Sequence, residues 1–353
     1  MKKDSLRILH LNTGARQSGM QTAFIQVVHN LAKQGIPQRV LCHAEDAKAL
    51  AGLPLIQTDV FTARHPLKDW FNHLRLRREI WRFRPSVIQL WSHKVAWFLM
   101  PRWPRRPTCV FLGGMPWPSR LRRLRRVVDT WLVPAEATRH EMVAAGIPDA
   151  RIGRLFHFPD VVDAVPASRE PFHIPNDHIV AVCAGRLFAH KKGLDILVQA
   201  LALVPGITLL LAGDGPDEAM LRALAEQHGV ADRVQFLGWR SDVANLFAMA
   251  DMVLMPSRYE TFPFVMLEAL GQGVPLISSN IAGPDEILRH GENGWLVPIE
   301  DISSLAEALR TLRDDPVVRK KLGDAGRQTI RDPYNAETSM KHLIAFYEKM
   351  MAA

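Results

Sequence analysis

Cysteine is scarce in this chain of 353 residues, which has only Cys42, Cys109 and Cys183. They are far apart and lack the spacing of a metal site, so no disulfide framework is expected and a reducing compartment is indicated. No apolar stretch approaches the roughly 20 residues that span a bilayer. The start of the chain leads into an apolar run that Arg7 and His10 interrupt, too short and too polar for a signal peptide. We therefore expect a cytoplasmic protein.

Internal repeats with a period of about 20–50 residues are also absent, as are low-complexity segments, so a repeat architecture is not expected. A hydrophobic content of 48% and a charged content of 23% are typical of an ordinary soluble globular protein. The length of the chain is sufficient for two domains of the usual size, each with its own core.

The positive charge is concentrated in the first half of the chain. Residues 1–165 hold 26 Lys and Arg against 12 Asp and Glu, or +14, whereas residues 166–353 hold 18 against 24, or −6. The two halves add to the total of +8. Three arginine clusters stand out, at 75–78, 102–106 and 120–126. An anionic membrane surface is the partner that we expect for this half of the chain.

The cluster at 120–126 has the pattern of a basic amphipathic helix, with Leu121, Leu124, Val127 and Val128 at helical spacing. Such a helix is typical of a membrane-surface element. A solvated basic face is the alternative that this pattern leaves open. Nucleic acid is not an expected partner, because no aromatic-rich binding motif or helix-turn-helix pattern accompanies the charge.

Short apolar runs alternate with helical patterns throughout, which indicates an α/β protein with parallel sheets. In the first half we predict strands at 6–12, 37–43, 86–91, 108–112, 129–133 and 151–157. Helices are predicted there near 19–34, 68–83, 94–100, 119–127 and 135–145. The second-half strands are predicted at 179–183, 208–212, 234–237, 252–255 and 275–278. The corresponding helices are predicted near 194–204, 217–228, 241–249, 263–271, 283–289 and 302–313.

A stretch rich in proline and polar residues, 161–177, is predicted to link two Rossmann-like halves. An Asp-Pro break at 332–333 precedes a last helix, 336–350, which can cross back to the first domain. The expected domains are therefore residues 1–165, residues 166–331 and a crossing helix within 332–353.

Two glutamates, Glu260 and Glu268, bracket a short apolar segment. Every residue from Pro263 to Leu270 is apolar except Glu268, whose carboxylate would be costly to desolvate unless a polar group met it. Proline suits a helix start and pushes the preceding Phe262 out of the α region, so Glu260 is predicted in the approach loop. Both carboxylates can then face one crevice and accept protons from the hydroxyls of a sugar. A buried glutamate paired with a distant arginine stays open as the alternative.

Two turns are candidates for binding phosphate. Gly185-Arg186-Leu187 follows a predicted strand, and Lys191-Lys192-Gly193 precedes a helix, so the cations lie near free helix N–H groups. Two exposed loop lysines would give the same pattern without any ligand. The next strand ends in Gly213-Asp214-Gly215-Pro216, which lacks the Gly-Lys-Ser/Thr of a P-loop and is a weak signal alone.

Taken together, these motifs resemble the retaining glycosyltransferases of the glycosyl-transferase group 1 type. That family has the GT-B fold, in which two Rossmann-like, doubly wound parallel-sheet domains face a central cleft and the C-terminal helix crosses back to the first domain. The resemblance covers residues 5–350, with its sharpest motifs in 183–295. Where the family often has glycine, this chain has Thr261 and Pro263.

The resemblance also implies roles for individual residues of the second domain. Glu268 is expected to hold the ribose of a nucleotide sugar and Glu260 its sugar ring. The diphosphate is expected to be gripped by Arg186 and by Lys191 or Lys192, of which Lys192 is favoured because it adjoins Gly193. The other expected donor-binding residues are Gly185, Gly213, Arg240 and Phe262.

In the first domain, a glycine-containing loop at 13–22 opens a helix and resembles a loop of the family, so Ser18 and Gly19 are donor-site candidates. A simple turn is the alternative there. His93 follows the strand at 86–91 and aligns with a polar strand-end residue of the family, which makes it a catalytic candidate. A structural histidine is the alternative at this position. The histidine that many members have after the next strand is replaced here by the segment 111–114.

The function that we expect is retaining transfer of a hexose from a nucleotide diphosphate sugar, a UDP-sugar, to a glycan or lipid-linked acceptor of cell-envelope polysaccharide. No cofactor and no metal are expected, because no Asp-x-Asp or His/Cys ligand set is present. The enzyme is expected in the cytoplasm, on the inner face of the cytoplasmic membrane. A sugar-nucleotide epimerase or a phosphorylase of the same architecture is the first alternative, and a nucleic-acid-binding protein is the remote one.

Overall fold

The chain folds into two units, each built on a parallel β-sheet, in a computed structural model. The described residues are 6–13, 19–53, 56–60, 70–92, 99, 107–113, 118–155, 158, 164–331 and 334–352. Unit 1 comprises Met1–Phe158 with Ala336–Ala353, and unit 2 comprises Pro159–Asn335. Each unit has its own parallel sheet, helices and hydrophobic core.

Unit 1 contains a seven-stranded parallel sheet in the order β3-β2-β1-β4-β5-β6-β7. Its strands are β1 Ile8–Leu11, β2 Gln38–Cys42, β3 Ile56–Val60, β4 Val87–Leu90, β5 Thr108–Leu112, β6 Thr130–Val133 and β7 Ile152–Arg154. In the register of the central strand, Ile8 pairs with Gln38 on one side and Val87 on the other. The strand order reverses between β3 and β4, as expected of a doubly wound sheet.

In the described part of unit 1, five helices connect these strands. They are α1 Gly19–Lys33, α2 Ala44–Ala49, α3 Trp70–Phe83, α4 Pro118–Val127 and α5 Glu136–Ala144. Because parallel crossovers are right-handed and the strand order reverses after β3, α1 and α2 lie on one face of the sheet and α3, α4 and α5 on the other. A single buried cluster joins Leu76 of α3, Leu124 of α4 and Met142 of α5 to Ile88 of the sheet. These three helices therefore share one core layer.

Unit 2 contains a six-stranded parallel sheet in the order β10-β9-β8-β11-β12-β13. Its strands are β8 Ile179–Ala184, β9 Ile207–Ala212, β10 Val234–Phe236, β11 Met252–Met255, β12 Leu276–Ser279 and β13 Trp295–Val297. The helices are α6 Ala189–Lys192, α7 Leu194–Ala202, α8 Glu218–Gln227, α9 Val243–Met249, α10 Phe264–Gly271, α11 Ile302–Asp314 and α12 Pro316–Arg331. Strands β9 and β11 are buried along their whole length, which explains their continuous apolar sequences.

The last helix, α13 Ala336–Ala352, belongs to unit 1. The buried hydroxyl of Tyr347 donates a hydrogen bond to Oε1 of Gln89 in β4 at 2.7 Å. A Cβ at Gly153 in β7 would lie 2.2 Å from the ring of Phe346, so glycine makes room for that ring. The predicted α/β fold, with two doubly wound domains and a C-terminal helix that returns to the first, is confirmed.

Several elements differ from those predicted from the sequence. β3 and β13 were not predicted; both are edge strands, β3 carries polar residues and β13 has three residues, so neither has a long apolar run. α12 was also missed, although Pro316 occupies the first helical position. The helix predicted at 283–289 is a short 3₁₀ turn, Pro284–Glu286. The helix predicted at 94–100 lies outside the described residues, except for Leu99.

The arginine-rich helix predicted at 119–127 is present as α4. Its apolar side chains, Leu121, Leu124, Val127 and the following Val128, are all buried in the core of unit 1. Insertion of this apolar face into a membrane, which the sequence pattern suggested, is therefore excluded while the unit is folded. None of the helices in the described part of the chain combines the length and the hydropathy of a membrane span.

Candidate functional site

The carboxyl ends of β8 and β9 carry two of the predicted turns, and these turns are in backbone contact. The amide of Gly185 donates to the carbonyl of Ala212 at 2.9 Å, and the amide of Leu187 donates to the carbonyl of Asp214 at 2.8 Å. A Cβ at Gly213 would lie 1.9 Å from the carbonyl oxygen of Gly185. Glycine is thus required at 213 for the two turns to approach this closely.

A third turn joins α6 to α7 at Gly193. Its φ of +64° lies in the left-handed region, and a Cβ would lie 1.9 Å from the carbonyl oxygen of Pro256. The turn can therefore sit directly against the segment that follows β11, which is the neighbour of β8 in the sheet. This contact brings Lys191 and Lys192, at the end of α6, close to the loop that contains Glu260.

Lys192 and Glu260 form an ion pair at the centre of this region. The distance from Nζ of Lys192 to Oε1 of Glu260 is 2.5 Å, and the two side chains are 23% and 10% exposed. The buried Ser257 hydroxyl donates to the same Oε1 at 2.9 Å. Two donors on one oxygen fix the orientation of the carboxylate.

Arg258 ties the same two segments together through all three nitrogens of its guanidinium group. It donates to both carboxylate oxygens of Asp195, at 2.7 and 2.9 Å, and also to the carboxylate of Glu300. It donates as well to the carbonyl of His190 at 2.6 Å, while its own amide donates to the carbonyl of Lys191 at 3.0 Å. These charge-assisted bonds raise the pKa of Arg258, which is largely buried.

The remaining cations of the site point outward. Arg186 is exposed, with its guanidinium carbon 5.5 Å from the centre of the Phe188 ring. Lys191 is also exposed, with its Nζ 5.5 Å from the centre of the Tyr259 ring. Neither forms an ion pair with any of the residues that the structure describes. Both are therefore available to an anionic ligand, Arg186 as a planar fork and Lys191 as a point charge.

A small pocket opens between these segments, at the carboxyl ends of β8 and β11. Its lining includes Cys183, Arg186, Lys192, Ser257 and Val265. Burial raises the pKa of the Cys183 thiol to about 12, so this wall of the pocket is neutral. The pocket therefore has a cationic rim, and one of its two cations, Lys192, is ion-paired with the Glu260 carboxylate. Cations and a polar group at the mouth of a mostly apolar pocket suit a phosphate-bearing ligand.

Glu268 lies in α10, the helix that follows the Glu260 loop, and is half-buried. The helix begins at Phe264, with Pro263 at the preceding, extended position. Phe262 is buried, and its ring lies 6.0 Å from that of Tyr334. Its expected part in donor binding stays a prediction, as does that of Glu268.

Arg240 follows β10, on the far side of β9 from the ion pair. Its guanidinium donates to both carboxylate oxygens of Asp242, at 2.8 and 2.6 Å. Gly238 bridges to Gly213 across the two strand ends. Because the guanidinium is paired with Asp242, a ligand at this position would meet the backbone groups of Arg240 more readily than its side chain.

Comparison with known proteins gives the family. Residues 165–329 match the profile of the glycosyl transferases group 1, and residues 17–157 match that of glycosyltransferase family 4. The chain is thus a glycosyltransferase, and its second domain belongs to group 1. The chain has the GT-B fold of that family.

Two proteins of Rhizobium meliloti (strain 1021) are similar to this glycosyltransferase over nearly their whole lengths. Lipopolysaccharide core biosynthesis glycosyltransferase LpsD is 27% identical over 98% of this chain and 99% of its own. The corresponding LpsE protein is 28% identical over 94% of this chain and 96% of its own.

Solved structures of similar fold include Anabaena Alr3699/HepE in complex with UDP and glucose. It has a TM-score of 0.85 and 19% identity, covering 98% of this chain and 100% of that one. WaaG, a glycosyltransferase involved in lipopolysaccharide biosynthesis, has a TM-score of 0.73 and 17% identity, covering 97% and 99%.

The structure of this glycosyltransferase brings together most of the residues predicted for unit 2. Gly185, Arg186, Lys191, Lys192 and Glu260 lie on adjoining turns, as the contacts above establish. Gly213 adjoins Gly185, whereas Arg240 and Glu268 lie on neighbouring elements of the same sheet edge. Their individual roles stay predictions.

In unit 1, Gly19 is the first residue of α1. Ser18 and His93 lie outside the described residues, so their predicted roles are untested.

Four residues of the site were not predicted from the sequence: Ser257, Arg258, Asp195 and Cys183. For Ser257 and Arg258, the sequence feature that points to the site is that they lie within three residues of Glu260. Nothing in the sequence links Arg258 to Asp195, because the two are 63 positions apart. Their pairing depends on β8 and β11 being neighbours in the sheet.

Proposed function

We propose that this glycosyltransferase transfers a hexose from UDP-sugar to a glycan or lipid-linked acceptor of lipopolysaccharide-type polysaccharide, with retention of configuration. The observation that carries the proposal is the Lys192–Glu260 pair, which places a cation and a carboxylate together at the carboxyl ends of two neighbouring strands. Open α/β sheets bind ligands at such ends. The names of the two Rhizobium proteins and the UDP in the HepE structure support the acceptor and the donor, respectively.

Breaking a glycosyl–phosphate bond leaves new negative charge on the departing diphosphate. Arg186 and Lys192 flank the turn at Gly185 and would neutralise this charge as it develops. Preorganised cations in a partly desolvated site stabilise a transition state strongly, because they need no reorganisation during the reaction. In this proposal the two side chains supply the charge that a divalent cation supplies in other transferases, so turnover is metal-independent.

Glu260 would orient the sugar. Within the described part of the chain, both hydrogen bonds to its carboxylate go to Oε1, which leaves Oε2 to accept a proton from a sugar hydroxyl. Glu268, on α10, would accept hydrogen bonds from the ribose hydroxyls. The leaving phosphate would take the proton of the acceptor hydroxyl, on the same face of the sugar, which is the geometry that retention requires.

Unit 1 would bind the acceptor. Its candidate residues are Ser18 and Gly19 for contact with the donor and His93 for catalysis. Its positive charge would hold the enzyme at the inner face of the cytoplasmic membrane, where a lipid-linked acceptor is available.

A screen of nucleotide sugars by thermal shift and hydrolysis tests the proposal. The true donor at 100 times its Kd should add about 2.7 kcal/mol to the free energy of unfolding. UDP release that depends on an acceptor, persists in EDTA and yields the α-linked product from an α-linked donor supports the proposal. An epimer formed without acceptor, or a requirement for inorganic phosphate, would indicate the epimerase or phosphorylase alternative instead.

A further inference from the structure

Helix α3 presents apolar and basic side chains to solvent on the face opposite its core contacts. Leu74 is 45% exposed and Trp81 is 73% exposed, and seven residues, or two helical turns, separate them. Arg78, exposed as well, lies between them on the same face. On the opposite side, Leu76 is buried in the core of unit 1. The helix is therefore anchored by one face and leaves a second, mixed face uncovered.

The neighbouring helix α4 adds positive charge to the same side of unit 1. Its exposed residues are Arg120, Arg122, Arg125 and Arg126. Because α3 and α4 share one core layer on one face of the sheet, their outward faces point away from the sheet in the same direction. We define the docking face as the exposed residues of α3 together with these four arginines.

Negative charge is nearly absent from the two helices. α4 contains no acidic residue, and α3 contains only Glu79. That carboxylate is 13% exposed and pairs with Arg39 at 2.8 Å, so it does not offset the arginines of the docking face.

We propose that the docking face binds an anionic lipid bilayer, with Trp81 at the level of the headgroups. This rests on the proposed function, in which the acceptor is lipid-linked. Arginines are attracted to an anionic leaflet, and tryptophan is the side chain most suited to the boundary between headgroup and hydrocarbon. Leu74 adds an apolar contact that a nucleic-acid backbone would not use. The apolar residues of α4 take no part, since they are buried.

The test is co-sedimentation of the full chain with vesicles of phosphatidylglycerol and phosphatidylcholine at low salt. The double variant Trp81→Ala/Arg78→Gln should bind at least tenfold more weakly, because one arginine at an anionic surface is worth about fivefold and the aromatic anchor is lost as well. The matched control, Val317→Ala/Lys321→Gln, removes an apolar and a basic side chain four residues apart on α12 of unit 2. Val317 is 75% exposed and Lys321 is exposed, and we expect this control to bind as the wild type does.

Three outcomes would contradict binding of the docking face to a bilayer. The wild type would fail to co-sediment with anionic vesicles, or it would bind vesicles of pure phosphatidylcholine equally well. In the third outcome, the two double variants would lose the same amount of vesicle binding. Preferential binding of RNA over vesicles would overturn it too. Transfer from UDP-sugar to a soluble acceptor glycan, measured for each variant, separates this inference from the proposed function: the Trp81→Ala/Arg78→Gln variant should release UDP at the wild-type rate. If even the wild type releases no UDP from any nucleotide sugar with acceptor present, the proposed function fails while the vesicle result stands.

A second inference comes from the contacts of Arg258. We infer that Arg258 is a positioning residue for the transfer reaction, because it fixes the distance between the turn that carries Lys192 and the loop that carries Glu260. Its guanidinium binds Asp195 at the start of α7, and its amide binds the carbonyl of Lys191. Either side chain of the catalytic pair would lose its fixed position if this tie were cut.

Replacing Arg258 with Met tests this role against a merely structural one. In Arg258→Met the kcat should fall at least tenfold, with a smaller change in the KM for the nucleotide sugar. Asp195→Asn should lower kcat by part of this amount. The double variant Arg258→Met/Asp195→Asn should lose no more kcat than Arg258→Met alone. The control is Arg169→Met, which removes an arginine bound to Asp251 at 2.9 Å at the amino end of β11. An unchanged kcat in Arg258→Met, or an equal loss in Arg169→Met, would overturn the inference.

Discussion

The Lys192–Glu260 pair can be dissected by replacing Lys192 with Met and Glu260 with Gln, singly and together. Exposed ion pairs contribute up to about 1 kcal/mol, whereas breaking a buried one costs about 3–5 kcal/mol. With side chains 23% and 10% exposed and an N–O distance of 2.5 Å, this pair lies between those limits. We expect a coupling free energy of about 2 kcal/mol between the two positions, measured as a double-mutant cycle in urea unfolding.

The same variants separate the roles of the two side chains in turnover. Lys192→Met should lower kcat by about 10²–10³, the range found when one preorganised donor to developing charge is removed. Glu260→Gln should chiefly lower kcat as well, because sugar positioning counts most in the transition state. The double variant should lose less than the product of the two single losses, since each replacement disorders the same pair.

The assay is transfer from UDP-sugar under single-turnover conditions, with urea unfolding of the ligand-free enzyme alongside. Lys191→Met is the matched control: the neighbouring lysine is exposed and lies over the Tyr259 ring, so its loss should have a much smaller effect on kcat. Additive stability losses in the cycle would contradict the coupling. Equal kinetic losses at Lys191 and Lys192 would contradict the choice of lysine.

Three further predictions concern other parts of the molecule. Glu268→Gln should weaken UDP binding, measured by calorimetry, about tenfold, while kcat at saturating donor changes less, because a ribose contact is present in both ground and transition states. Gly213→Ala should destabilise unit 2 and impair donor binding, because its Cβ would lie 1.9 Å from the Gly185 carbonyl oxygen; an unchanged Tm would contradict that contact. His10, whose Nδ1 accepts a hydrogen bond from Trp91 at 3.1 Å, has its pKa lowered by burial to about 3. Between about pH 6.5 and about pH 3 the His10 side chain binds a proton in the unfolded chain but not in the folded one. The free energy of unfolding should therefore fall as the pH drops through this window, by about 2 kcal/mol at pH 5. Urea unfolding at a series of pH values should show this dependence in the wild type and not in His10→Gln.

Much of the fold could be predicted because it depends on local patterns. Long strands such as β8 and β9 can be recognised in the sequence as continuous apolar runs, whereas β3 and β13 at the sheet edges cannot. The sequence pattern predicted that α4 is an amphipathic helix, but not what its apolar face contacts. A pattern of period 3.6 shows that one face is apolar, and either the protein core or a membrane can bury such a face.

Local sequence patterns are enough to show which residue types lie at the strand ends: glycines that allow close turns, a cluster of cations, and two carboxylates around an apolar helix. Which of these residues come into contact depends on the folded unit. Lys192 and Glu260 are 68 positions apart, and they pair because β8 and β11 are adjacent in the sheet and Gly193 lets the α6–α7 turn reach Pro256. Strand order arises from burial of the whole sheet between its helices, a property of the folded unit that no local spacing contains.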